Sequence, residues 1–277
     1  MPQVRAGFVR QLVQMAALYI YADESGTMPT SDTDPPFVAA AVASFREPFR
    51  WDGKRGKRRE ILETISNSQL LPFIAILDPH PGFTDTLHEK LELLNDDAQK
   101  TLETTGANAR LFPRRGLKPG NFIWGHTVLQ AVSQAALSGA VRGVIDRIEI
   151  LMDQKTLRKE ERALFRHTLV TLKGTMRNSL MHALFGFFGP LEQLLQRLKF
   201  EDIDVSVRWS DDPIQRANEG ALNFVDRVSR FAHTDIRKRR TPSFVDELET
   251  LQGRKISVEL SKVVTSPEAF KGRAGQM

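Results

Sequence analysis

Three stretches of strand character stop abruptly on acid or hydroxyl side chains, and that recurrence limits the folds open to this chain. Residues 17–22 (ALYIYA) run into Asp23-Glu24-Ser25-Gly26, residues 147–153 (RIEILMD) close on Asp153, and residues 204–209 (DVSVRW) stop at Ser210-Asp211-Asp212-Pro213. Each run is rich in β-branched or aromatic residues and too short for a typical helix, so each reads as a strand. An ionised carboxylate at the border of an apolar core is costly unless a turn, a cap or a cation compensates it. The strand ends are therefore where this sequence concentrates its chemistry.

The remaining pattern supplies partners for those strands. Residues 37–45 (FVAAAVASF) read as a second strand, forming a hairpin with the first across a loop containing Pro29, Pro35 and Pro36. Residues 70–77 (LLPFIAIL) read as another, pushed toward a sheet edge by Pro72. Helices are expected over 54–66, over 84–104 from Leu87, Leu91, Leu94 and Leu102, and over 122–141 from Ile123, Leu129, Val132 and Ala136. A loop around Pro113, Gly116, Pro119 and Gly120 separates the last two. One or two helices are expected over 159–199, broken near Gly186, Gly189 and Pro190. A late helix runs to His233, with Pro213 in its first turn and Asp211 or Asp212 as cap, and residues 256–260 form a last short strand. Strands interleaved with helices imply an α/β chain, a mixed sheet covered by helices.

Composition bounds the classes. With 277 residues, 41% of them hydrophobic and 26% charged, the chain has the ordinary globular mix and can bury a sizeable core. Thirty-nine Lys and Arg against 34 Asp and Glu leave +5, a balance that permits a polyanionic partner without requiring one. Cysteine is absent, which removes disulfides, thiolate metal sites and cysteine nucleophiles, and a reducing, cytoplasmic setting is expected. No apolar run is long enough to span a membrane. The apolar stretch at residues 11–22 is broken by Gln11 and Gln14 and followed by Asp23 and Glu24, so it reads as a leading helix entering a strand rather than a secretory signal.

Taken singly, each strand-end acid is a common turn or cap residue. Jointly, Asp23 and Glu24, Asp153 and Asp226 of the late helix could share a divalent cation. Mg2+ and Mn2+ take oxygen ligands and keep several waters, so a few carboxylates suffice. Such ions activate water for phosphodiester hydrolysis without a protein nucleophile. In the late helix Glu219, Asn223 and Asp226 share one face, which His233 extends; such a stripe is either solvated or a source of a further ligand, Glu219.

The segment Tyr21-Ala22-Asp23-Glu24-Ser25-Gly26-Thr27 resembles the Asp-Glu-Ser-Gly signature closing the first strand in the bacterial and phage family called domain of unknown function 3800. The resemblance extends to a central strand ending in Asp, matched by Asp153, and to a strand ending in Ser followed by a helix with the pattern Leu-Gln-Leu-Ala-Asp-Leu. Here that segment is Ser210 and then Leu222-Asn223-Phe224-Val225-Asp226, with Asn223 in place of Gln and Val225 in place of Ala. The resemblance implies a single ribonuclease H-like domain over residues 1–277, with helical insertions at 78–121 and 157–200. It also implies an acidic site with Asp23, Glu24, Asp153 and Asp226 as catalytic residues and Asp23, Asp153, Asp226 and Glu219 as ligands to Mg2+ or Mn2+.

Other features are weaker. Asp78, His80, Asp85, His88 and Glu89 match no transition-metal spacing and read as a polar loop capping the next helix. His126, His167 and His182 stand singly on helices, as packing or surface residues. No Gly-rich phosphate loop is present. The basic clusters at 54–59, 114–115 and 237–240 could neutralise phosphates beside an acidic centre or could be solvated faces. Trp51 reads as a packed residue rather than a base-stacking platform. The expected function is a divalent-metal-dependent nuclease acting on DNA or RNA. The alternative is a non-catalytic ribonuclease H-like module that binds nucleic acid or a partner protein in a mobile-element or defence system; a protein partner or a homo-oligomer is expected to be compatible with either reading.

Overall fold

A computed structural model describes residues 16–45, 48–53, 56–105, 118–142, 145–153, 162, 203–210, 219–258 and 260. Six strands in this set form one mixed sheet: β1 (Ala16–Ser25), β2 (Phe37–Phe45), β3 (Leu71–Leu77), β4 (Ile145–Met152), β5 (Asp204–Trp209) and β6 (Arg254–Ser257). Their order is β5-β4-β1-β2-β3-β6. β1 is central, antiparallel to β2 and parallel to β4. β3 lies antiparallel to β2, while β5 and β6 run parallel to β4 and β3.

Both faces of the sheet are covered, and strand alternation decides which side chain meets which layer. Leu18, Ile20 and Ala22 of β1, with Phe37, Ala39, Ala41 and Ala43 of β2, join one apolar layer with helices α2 (Phe83–Thr105) and α3 (Pro119–Arg142). Tyr21, Val38, Ala40 and Val42 face the opposite layer, built by α1 (Arg58–Asn67), α4 (Glu219–Arg237) and α5 (Phe244–Thr250). Every residue from Phe37 to Ala43 is buried. The run FVAAAVA is therefore not an amphipathic strand but one buried on both sides, where alanines let α3 and α4 approach closely. Burying one Leu, Ile or Phe contributes roughly 1.5–3 kcal/mol, and Phe37, Phe73, Phe224 and Phe244 are all fully buried.

Several boundaries differ from the sequence expectation for physical reasons. β1 continues through Asp23, Glu24 and Ser25, because these turn-type residues pair with Ala40, Ala39 and Val38 of the hairpin partner. β3 is not an edge strand. β6 flanks it but pairs only with Phe73 to Ile76, so Pro72, which has no N–H to donate, lies just outside that ladder. The last strand is Arg254–Ser257 rather than 256–260, and its charged residues suit an edge. The first helix starts at Arg58, and Pro119 and Gly120 belong to the first turn of α3 rather than to a loop. α5 was not anticipated, although its capping box is visible in Ser243-Phe244-Val245-Asp246. Ser243 Oγ accepts the Asp246 N–H at 3.1 Å, and Asp246 Oδ2 accepts the Ser243 N–H at 2.7 Å. The expected leading helix, the 106–117 part of the loop, the 159–199 helices apart from Arg162, and the Asp211 or Asp212 cap lie outside the described residues.

The start of α2 is capped from a distance. Asp32, in the β1–β2 loop, accepts the N–H groups of Gly82 and Thr84 and the Thr84 hydroxyl, each within 2.7 Å. These bonds hold its carboxyl below the usual range. The cap therefore comes from Asp32 together with the expected Asp78–His80 segment, whose His80 carbonyl accepts the Phe83 N–H at 2.9 Å.

His126 of α3 stacks on Phe122, with ring centroids 6.1 Å apart. Burial pushes its pKa down to about 4. The unfolded chain, with a histidine pKa near 6.5, then binds a proton that the folded chain refuses. Stability is accordingly expected to fall as pH drops from about 6.5 to about 4, by up to ~3 kcal/mol from this residue. Urea unfolding at several pH values checks this, because His126→Leu should flatten that part of the profile.

Candidate acidic site

Two neighbouring parallel strands bring the first pair of acids together. Ala22 of β1 is in register with Met152 of β4, and the Asp153 N–H donates to the Ala22 carbonyl at 3.3 Å. Asp23 and Asp153 therefore leave the sheet side by side. Parity then aims them. Tyr21 and Leu151 face the α4 layer, so Asp23 and Asp153, two residues further on, project to that same face. Leu222, Val225 and Val228 seat α4 on the sheet, which places Asp226 at the border of the buried stripe. An open cleft of about 430 Å³ is lined by Asp23, Glu24, Asp153 and Asp226, with Ser25, Gly26 and Arg230 completing its wall.

Each carboxylate is held by a neighbour. Asp23 is buried, and its Oδ1 accepts the Glu24 N–H at 2.8 Å. Asp153 Oδ1 accepts the Ser210 hydroxyl at 2.9 Å, so the serine ending β5 orients the acid ending β4. Glu24 has the opposite parity to Asp23 and turns to the α3 side, where its Oε2 accepts the indole N–H of Trp124 at 2.8 Å. That indole stacks on Trp209 of β5 at 6.1 Å. Asp226 Oδ1 pairs with Arg230 Nε at 2.7 Å. Glu219 is the first residue of α4, and the position of its side chain lies outside the described residues. Asn223 is exposed.

The turn after the acids is tied to α4. Gly26 has φ +104°, a conformation that L side chains rarely adopt. A Cβ there would stand 2.9 Å from His233 Nε2 and 3.2 Å from the Pro36 carbonyl oxygen. Burial, and then Arg237, pushes the His233 pKa down. Gly26→Ala is expected to cost about 1–3 kcal/mol in urea unfolding. Part of that cost should disappear in a His233→Ala background, because the steric component goes while the backbone strain stays.

Not every expected feature joins the site. Among the described residues, no three His, Asp or Glu side chains stand close enough to hold a metal ion as they lie. That holds for Asp78, His80, Asp85, His88 and Glu89 as well. Arg58 is no free phosphate contact: its Nη1 and Nε bind Asp235 at 2.6 Å and Glu247 at 2.7 Å, tying α1 to α4 and α5. Arg59 is exposed and pairs with Glu63, and residues 237–240 form an exposed basic run at the end of α4. Lys54, Arg55, Arg114, Arg115, His167 and His182 lie outside the described residues. Trp51 packs edge-on against Phe224 at 5.4 Å, and its carbonyl oxygen abuts Gly220, where a Cβ would collide. It braces α4 and offers no platform for a base.

Trp124, Arg230 and the orienting bond from Ser210 to Asp153 were not anticipated. Only the Arg230 contact had a local signal, its i, i+4 spacing from Asp226. Compared with protein-family models, curated proteins and solved structures, the chain matches none.

Proposed function

We propose that this protein is a divalent-cation-dependent phosphodiester hydrolase acting on nucleic acid, with Asp23, Asp153 and Asp226 as the cation-binding acids. One observation carries the reading: carboxylates from β1, the end of β4 and the middle of α4 line one cleft. A mixed sheet with helices on both faces, whose central strand closes on Asp-Glu-Ser-Gly, supports a ribonuclease H-like architecture and the family resemblance drawn from the sequence.

The donor set fits Mg2+ or Mn2+. The acids lining the cleft offer hard oxygen ligands, and Mg2+ in particular keeps several waters and needs only one or two carboxylates. A preassembled group of three is therefore not required. When bound, such a cation supplies an activated water and offsets charge on the phosphodiester. The chain's own residues prepare for it: the Glu24 N–H and the Ser210 hydroxyl fix one oxygen each of Asp23 and Asp153. Orienting partners of this kind typically matter 10- to 100-fold for metal affinity or activity. Trp124 binds one oxygen of Glu24, the fourth acid of the cleft, from the α3 side. Glu219 remains a candidate fourth ligand by its place about two turns before Asp226 on the same helix.

A second reading, a nucleic-acid- or protein-binding module without catalysis, is favoured by one specific contact. Asp226 is already neutralised by Arg230. Incubation of labelled DNA and RNA oligonucleotides with purified protein separates the two. The hydrolase reading expects cleavage with Mg2+ or Mn2+ that stops in excess chelator. Binding without cleavage under both cations favours the module, and cleavage undiminished by chelator removes the cation.

A further inference from the structure

Arg230 is the one cationic side chain among the described residues lining the cleft, where it stands among four acids. Arg230 need not stay paired with Asp226. It can leave by moving: its side chain is 61% exposed, against 24% for Asp226, and the pair is a one-turn helical contact. Pairs of that kind contribute little and are given up easily. A divalent cation approaching Asp226 is repelled by the guanidinium, and a phosphodiester approaching the cleft is repelled by its acids.

From this we infer that Arg230 is an exchangeable counter-ion. It neutralises Asp226 until a divalent cation takes its place, and the released guanidinium then receives a phosphate of the nucleic-acid substrate. Arginine suits the second role because its planar fork matches phosphate oxygens. Substrate contact thereby becomes available only once the cation is seated, an ordered loading built into one turn of α4. This rests on the hydrolase reading above and assigns Arg230 to positioning and substrate binding.

Calorimetric titration of Mn2+ into the full chain without substrate, for wild type, Arg230→Gln and Arg230→Lys, tests the first half. Arg230→Gln should bind Mn2+ about 3- to 10-fold more tightly, while Arg230→Lys should stay near wild type. The second half is read in the KM for a labelled oligonucleotide at saturating Mn2+, which should rise roughly tenfold in Arg230→Gln with kcat changed less. Unchanged or weaker Mn2+ binding by Arg230→Gln overturns the exchange, and an unchanged KM overturns the phosphate contact, with the hydrolase reading intact in both cases. A wild-type protein that binds no Mn2+ defeats the cation reading itself and this inference with it.

Discussion

Asp23→Asn is expected to lower cation-dependent cleavage by more than about 100-fold, because loss of a ligand should exceed the 10- to 100-fold cost of losing a ligand's orienting partner. The fold should tolerate the change. Asparagine keeps a carbonyl oxygen that can accept the Glu24 N–H now bound by Asp23. It also removes one negative charge from a cleft lined by four acids. The midpoint of thermal unfolding should therefore stay within ~2 °C of wild type in the absence of metal. A variant that loses activity only because it unfolds would show that Asp23 serves the core instead. The comparison is a cleavage rate beside a melting curve on the same preparation.

Asp235→Ala is expected to be the largest stability effect outside the apolar core. Asp235 is buried, and its Oδ2 accepts Arg58 Nη1 at 2.6 Å and the Phe244 N–H at 2.9 Å, while Arg240 approaches Oδ1 at 3.4 Å. This one carboxylate joins α1, α4 and the start of α5, and the Arg58 guanidinium also lies over the Phe244 ring. Removing it leaves a buried N–H unpaired and a guanidinium with Glu247 as its remaining acid. Breaking such a pair from one side costs about 3 kcal/mol or more. For a chain of this size that is roughly 6–12 °C in the unfolding midpoint. Asp235→Asn should lose less, since its side-chain oxygen still reaches the Phe244 N–H. Equal melting points for wild type and Asp235→Ala would contradict the tether.

That tether shows where sequence reading stops. Residues 54–59 look like a phosphate-binding cluster in one dimension, yet Arg58 is committed to two acids that follow it by 177 and 189 positions. No local pattern carries such a contact. Local patterns did carry the sheet: FVAAAVASF and DVSVRW have the bounds expected from their composition and alternation. They failed where turn chemistry and pairing compete, as at Asp23 to Ser25, which the β2 ladder keeps extended. They also misplaced the last strand, expected over 256–260 and found at Arg254–Ser257, where charged residues precede Ile256 and pair with β3.

The acidic site was legible to the same depth. Asp23 and Asp153 were expected together because two apolar runs close on them, and the parallel pairing of β1 with β4 puts them side by side. The contact that holds Glu24 could not be read, since it depends on Trp124, a hundred residues away in α3. Asp226 was identified by its place on the border of an apolar helix face. Its pairing with Arg230 was overlooked because helix-surface ion pairs are ordinary, and the contact gains meaning only from the other acids of the cleft.

If these carboxylates form one cation site, Asp23 and Asp153 must both contribute to it. Electron paramagnetic resonance of Mn2+ titrated into the purified protein tests it directly, since bound and free Mn2+ give different signals. Wild type is expected to bind Mn2+ saturably, and both Asp23→Asn and Asp153→Asn to lose that binding with circular dichroism unchanged. Absence of saturable binding in folded wild type, or full binding retained in both variants, would contradict it.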